Sequence, residues 1–290
     1  MAPPQTPPRQ APAHPPLPRH LQLAVVGHVE WVEFLWVDHL PGPGEILRAS
    51  ASLQQPAGGG AVVAAQMAKL VGSAQFFTAL GRDELGERAL AELQALGLEV
   101  HVAWREAPTR RAVSFIDSDS ERSITVIGER LSPSAADPLP WERLASCDGV
   151  FLTAADHAAV RLARRAKLLA ATPRLGLETL QAAAVQLDAL VGSALDPSEQ
   201  LPPGALDPAP KITVATEGAR GGYTVPGGRF AALERGAPLG DTYGAGDSFA
   251  AGFSAGLAAG FSREQALALG CRCGAACIDG RGAYAGQLQL

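Results

Sequence analysis

The residues best suited to chemistry lie near the C-terminus, in DTYGAGDSFAAGF (241–253). Gly244-Ala245-Gly246 stands where a loop gives way to an apolar helical pattern. Glycines there let the backbone turn and let a ligand approach closely. The free N–H groups of a helix start, with the positive end of its dipole, form an anion site. Asp247 falls in that first turn. A carboxylate beside a phosphate cradle fits a base that takes a proton from an attacking hydroxyl, and Gly244, Ala245 and Gly246 fit the donors that steady the equatorial oxygens. The spacing also fits an ordinary glycine-rich helix start whose aspartate only favours the dipole, and on spacing alone both readings stand. A dinucleotide site fits worse. G-x-G-x-x-G needs glycine or alanine at 249, where Phe249 stands, and the segment is far from the first strand. A P-loop is excluded, because none of the three lysines (Lys69, Lys167, Lys211) follows the required glycines.

The elements that must position this segment read as alternating strands and helices. LQLAVVG (21–27) is an apolar run ended by glycine and suits a buried strand. Residues 30–37 suit a half-exposed strand, and Pro41-Gly42-Pro43-Gly44 breaks the chain. A small apolar helix is expected over 61–71 and a strand over 74–80. Asp83 caps a helix that ends at Gly97. LEVHVAW (98–104), RAVSFID (111–117) and RSITVIG (122–128) alternate like strands, the last two joined as a hairpin. Then follow a strand at 149–153, a helix near 156–171, a strand at RLGL (174–177), a helix near 178–187, strands at 188–192 and 211–216, and helices at 244–259 and 263–278. This order argues for a parallel sheet with helices on both faces. The extra strands near 28–50 and 98–128 do not fit that sheet and read as a small β lid.

Composition narrows the partners. The chain has 290 residues, 47% of them apolar and 18% charged, enough for a sizeable core. A net charge of -5 disfavours nucleic acid or an anionic membrane as the main partner. No apolar run approaches the ~20 residues of a membrane span. Cys147 stands alone. Cys271, Cys273 and Cys277 lack a CxxC pair or a nearby histidine, so they read as core residues in a reducing cytoplasm rather than as a zinc site. Residues 1–20 are proline-rich and read as a disordered tail.

DTYGAGDSFAAGF resembles the D-T-x-G-A-G-D signature of the ribokinase-like (pfkB) carbohydrate kinase family. Further segments in the family's order strengthen the resemblance: PGPGEI (41–46), GGGAVVAAQMAKLVG (58–72), LGRDELGE (80–87) and TEGARGG (216–222). Together they span about residues 21 to 285. The resemblance implies a three-layer α/β/α sandwich with a mostly parallel sheet and a β-strand lid, residues 21–290 forming the kinase domain. It implies ATP with Mg2+ as donor. Asp247 maps onto the catalytic base and the backbone of Gly244, Ala245 and Gly246 onto the anion hole. Thr216, Gly218 and Gly221 map onto the nucleotide loop. Asp241 and Thr242 map onto a loop start where some relatives bind a monovalent cation.

The chain also departs from the family. Where sugar kinases often carry Asn and Asp after the first strand, Glu30 and Val32 stand. Glu30 is therefore expected to bind a sugar hydroxyl, with His28 at the same mouth, while Glu33 points to the other face. Val63 replaces the asparagine that usually follows the paired glycines, leaving the backbone of Gly58 and Gly59 to approach the sugar. The N-x-x-E motif linked to magnesium is replaced by GSALDPSEQ, in which Asp196 and Glu199 are the candidate carboxylates, expected to meet the cation through water. Arg110 and Arg111 open a lid-side strand, and Arg111 is a candidate to meet an acidic sugar. Trp31, Phe34 and Trp36 suit either a sugar lid or a homodimer contact. The expected function is ATP-dependent phosphorylation of a hydroxyl on a small sugar. The rivals are a nucleoside kinase of the same fold and a catalytically quiet sugar- or nucleotide-binding regulator.

Overall fold

The computed structural model describes residues 16–18, 20–234 and 240–290. The expected proline-rich tail falls mostly outside these. A nine-stranded sheet forms the centre: β1 (Leu23–Val26), β4 (Ala74–Gly81), β5 (Leu98–Arg105), β8 (Gly149–Leu152), β9 (Leu168–Ala171), β10 (Ala189–Ser193), β11 (Ile212–Thr216), β12 (Gly222–Val225) and β13 (Gly228–Phe230), in the order β13-β12-β11-β10-β9-β8-β1-β4-β5. Strands β11 through β5 run parallel, and β12 and β13 form an antiparallel edge. Alternation within the central strands shows why they are apolar throughout. Leu23 and Val25 enter one core while Ala24 and Val26 enter the other, and Phe76 and Phe77 part in the same way.

One face is covered by α1 (Gly59–Val71), α2 (Glu84–Ala95), α5 (Ala245–Ala258) and α6 (Arg263–Cys277). The other is covered by α3 (His157–Ala163), α4 (Leu177–Ala183) and the turn at Trp141–Ser146. Small residues let α5 and α6 approach closely: a Cβ on Gly252 would stand 3.0 Å from the Leu269 carbonyl, and one on Gly270 3.0 Å from that of Phe249. Cys273 and Cys277 are buried in this packing, and all four cysteines are unpaired.

A second sheet, in the order β3-β2-β6-β7, forms the lid: β2 (Glu30–Trp36), β3 (Ala51–Ala57), β6 (Arg111–Ile116) and β7 (Arg122–Ile127). Three expectations need correction. Residues 98–105 belong to the edge of the main sheet, paired with β4, and not to the lid. Its half-covered position gives β5 the alternation that a lid strand would also show. RLGL is not a strand. Its place in the sheet is taken by Leu168–Ala171, the preceding helix ends at Ala163, and Pro173 opens a short turn capped by Thr172. Finally, Trp31, Phe34 and Trp36 are buried within the chain. Phe34 meets Tyr243 edge-on at 4.9 Å and Trp31 lies under the Arg88 guanidinium. They do not form an exposed contact face.

Asp83 ties the lid to the main sheet. Its carboxylate accepts hydrogen bonds from Gly86 N at 2.8 Å, which caps α2, and from Thr109 N and Oγ1 at 2.7 and 2.8 Å, just ahead of β6. Asp83→Ala is expected to lower stability by about 1–3 kcal/mol. A lower urea midpoint at constant m-value would show this. An unchanged midpoint would contradict it.

Candidate active site

The start of α5 lies in the cleft between sheet and lid. Gly244 adopts a left-handed conformation (φ 76°), and a Cβ there would also lie 2.9 Å from Val62. Among the described residues, no side chain caps the helix. Among the described residues, no hydrogen bond takes the N–H of Gly246 or of Asp247, and the space beside Gly246 is open. Two backbone donors at the positive end of a four-turn helix thus remain available to an anion.

The loop ahead of α5 is held from three sides. Asp241, fully buried, accepts from Tyr243 N at 2.9 Å and Gly282 N at 2.8 Å. Tyr243 Oη accepts from Gly58 N at 3.1 Å, joining the anion loop to the paired glycines. Arg122, on lid strand β7, donates to the carbonyl and hydroxyl oxygens of Thr242, both at 2.9 Å.

The structure brings Asp247, Gly58, Gly59, His28 and Glu30 together. A Cβ on Gly59 would stand 3.0 Å from Asp247 Oδ1 and 3.7 Å from the His28 ring; one on Gly58 would stand 3.2 Å from that ring and 3.3 Å from Glu30 Cγ. Burial pushes the Asp247 carboxyl up to about 6, against the pull of Arg174. Burial, reinforced by Arg130, Arg110 and Arg174, pushes His28 down to about 3, so its imidazole is neutral at pH 7. Burial raises Glu30 above the usual carboxylate range, although Arg110 lies 3.2 Å away. Glu33 lies away from this group, opposite Gln54 on β3.

Arg111 is not part of this group. It is exposed at the start of β6, while its neighbour Arg110 reaches Glu30. Successive strand residues face opposite ways, so only one of the pair can do so. Arg130 and Arg174 also border the site, and the sequence reading did not single them out. They come from separate loops with no shared motif.

The segment expected to form a nucleotide loop follows β11. Thr216 Oγ1 donates to the Gly192 carbonyl at 3.3 Å. Among the described residues, none crowds the space beside Gly218. A Cβ on Gly221 would stand 2.1 Å from the Phe230 carbonyl, so that glycine serves the β12–β13 packing.

Asp196 and Glu199 are already engaged. Arg174 donates to both, Asp196 Oδ1 accepts from Ser198 N at 2.9 Å and Glu199 Oε2 accepts from Ser193 N at 2.8 Å. A guanidinium seated between two carboxylates repels a divalent cation, and each oxygen already holds a donor. This donor set does not fit a magnesium ion held directly by the chain. Among the described residues, no group of three or more His, Cys, Asp or Glu side chains is placed to hold a metal.

Comparison with known proteins places this layout. The model of the pfkB family carbohydrate kinase matches residues 21–216 and 184–289. The chain is 30% identical over 281 residues to the ATP-dependent ribose-1-phosphate kinase of Halopiger xanaduensis, covering 89% of this chain and 92% of that one. Solved structures share the fold. The ribokinase of Thermotoga maritima has a TM-score of 0.73 at 21% identity, over 93% of this chain and 96% of that one. Arabidopsis thaliana ribokinase, solved with ribose and ATP, has a TM-score of 0.70 at 20% identity, with the same coverage. The chain belongs to the pfkB family of carbohydrate kinases. It is an enzyme that transfers a phosphoryl group to an alcohol acceptor. Among the described residues, no helix is long and apolar enough to cross a membrane.

Proposed function

We propose that the chain phosphorylates a hydroxyl of a small sugar with ATP, and that Asp247 is the general base. The observation that carries this is the meeting of Asp247 Oδ1 with the bare backbone of Gly59, beside the free N–H groups that open α5. The hydroxyl lies between Gly59 and Asp247. Its proton passes to the carboxylate as its oxygen bonds to the γ-phosphorus, and the bond to the β-phosphate oxygen breaks to release ADP. The N–H groups of Gly246 and Asp247 steady the equatorial oxygens. Glu30 and neutral His28 accept or donate at other hydroxyls of the acceptor. Gly218, with open space beside it, lies along the nucleotide path. The names of the halophile and plant relatives, a ribose-1-phosphate kinase and a ribokinase, support a pentose-sized acceptor.

ADP release with Mg-ATP across sugars, sugar phosphates, sugar acids and nucleosides tests the reading. Acceptor-dependent ADP with a sugar supports it. Turnover of nucleosides alone would favour the nucleoside reading, and ligand binding without any ADP would favour a regulator.

The raised carboxyl predicts a pH profile. Ionised Asp247 is the competent form, so kcat/KM should fall about tenfold per pH unit below a break near 6 and level off above it. An acid limb that breaks only below ~4.5 would place the base in an ordinary solvated environment.

A further inference from the structure

The Glu30 carboxylate is buried, yet most of its bonding capacity is unspent. Among the described residues, no hydrogen bond reaches its oxygens. Its polar contacts are Arg110 Nη1 at 3.2 Å and the neutral His28 ring, whose Nε2 lies 3.8 Å away. Buried carboxylates are ordinarily both paired and hydrogen-bonded, so oxygens left this way call for donors from outside the chain. Arg110 is committed to the same partner. Among the described residues, no other carboxylate lies within ion-pair distance of it, and its buried Nε has no hydrogen-bond partner.

The lid builds this pair. Strands β2 and β6 run parallel with Trp31 opposite Arg111, and Trp31 N donates to the Arg110 carbonyl at 2.8 Å. One step back in each chain, Arg110 comes to stand beside Glu30, the first residue of β2. Glu30 lies in turn against the paired glycines. A Cβ on Gly58 would stand 3.3 Å from Glu30 Cγ, and one on Gly59 would stand 3.0 Å from Asp247 Oδ1. Guanidinium, carboxylate, glycines and base thus follow one another along the wall of the cleft.

We propose that Arg110 is a positioning residue: its ion pair fixes the Glu30 carboxylate so that both oxygens accept from hydroxyls of the acceptor, which keeps the reacting hydroxyl turned toward Asp247. This rests on the phosphotransfer reading of Asp247. A glutamate alone in this place has freely turning side-chain bonds, and burial favours its protonated form, in which one oxygen becomes a donor. Arg110 opposes both. Burial raises the Glu30 carboxyl, and Arg110, ahead of Arg130 and Arg174, pulls it back. The same three arginines weigh against protonation of His28. Tyr243 and Asp247 also face Glu30, from the loop and helix opposite.

The test measures the acceptor KM of the full chain from about pH 6 to about pH 9, with D-ribose and with the fastest sugar of the acceptor panel. Wild type, Arg110→Gln, Arg110→Lys, Glu30→Gln and the double variant Glu30→Gln/Arg110→Gln are compared. Arg110→Gln should raise the acceptor KM about 10- to 100-fold near pH 7, with little change in the KM for ATP. The loss should shrink as pH rises, because without the guanidinium Glu30 ionises only at more alkaline pH. Arg110→Lys keeps the charge but not the planar fork, so its loss should be smaller and follow the same trend. In the Glu30→Gln background Arg110 has no carboxylate to hold, and Arg110→Gln should change the KM by less than about threefold. Thermal melting checks that each variant is folded. If Arg110→Gln does not fold, Arg110→Lys and the double variant, which buries no unpaired carboxylate, carry the comparison. An unchanged acceptor KM, a loss equal at every pH, or a loss as large in the Glu30→Gln background would overturn the inference while leaving the kinase reading intact. No ADP with any sugar would overturn both.

Discussion

Asp247→Asn should lower kcat by about 10²- to 10⁴-fold while leaving the protein folded. Asparagine keeps the size of the side chain and can still touch an acceptor hydroxyl, but it cannot take the proton. Loss of kcat with little change in KM for ATP would mark an interaction made only in the transition state. The stability of the variant carries an independent prediction. Burial raises the Asp247 carboxyl to about 6 in the folded chain, so the ionised form is penalised by folding. That penalty is present above pH 6, fades as pH falls and is absent below the unfolded value near 4. Asp247→Asn should therefore melt no lower than wild type at pH 8, with any advantage shrinking between about pH 6 and pH 4. A variant that is both inactive and much less stable at pH 8 would point to a structural role for the carboxylate.

Gly59→Ala is the second large effect, on the order of 10² in kcat/KM. Gly59 opens α1 with a φ outside the left-handed region, so its backbone accepts alanine. The added methyl would stand 3.0 Å from Asp247 Oδ1, where the acceptor oxygen has to lie. Activity should fall without loss of stability. Its neighbours behave differently. Gly58 has a φ of 88°, which strains any other residue. A Cβ on Gly60 would lie 2.6 Å from the His28 carbonyl, so alanine there should destabilise the packing of α1 on the end of β1. Full activity in Gly59→Ala would show that the acceptor does not enter between the paired glycines and Asp247.

The parts of this site legible in the sequence are those carried by contiguous motifs. Asp247 and its glycines sit within one short segment whose spacing is set by a single helix turn, and Gly58 and Gly59 open another helix. The arginine cluster was not legible. Arg110, Arg130 and Arg174 are spread over 65 positions and meet only through the tertiary fold. Arg110 and Arg111 are neighbours of identical type, and which one faces Glu30 depends on the parity of β6, which apolar patterning at a strand start does not define. Asp196 and Glu199 read as carboxylates near a metal from their place in the N-x-x-E segment, and their partner Arg174, 22 positions before the first and 25 before the second, meets them only through the fold. The same limit applies to β5. Alternation in LEVHVAW reports a half-covered strand but not which sheet it joins.

The most direct measurement is a rapid-quench single turnover with ATP labelled in the γ-phosphate, enzyme in excess, and the best acceptor from the panel. Wild type should transfer the label to the acceptor. Asp247→Asn, shown to be folded and to bind ATP, should leave it on ATP over the same interval. Equal transfer by the variant, or label appearing only as inorganic phosphate with wild type, would contradict Asp247 as the base of a phosphotransfer to a sugar hydroxyl.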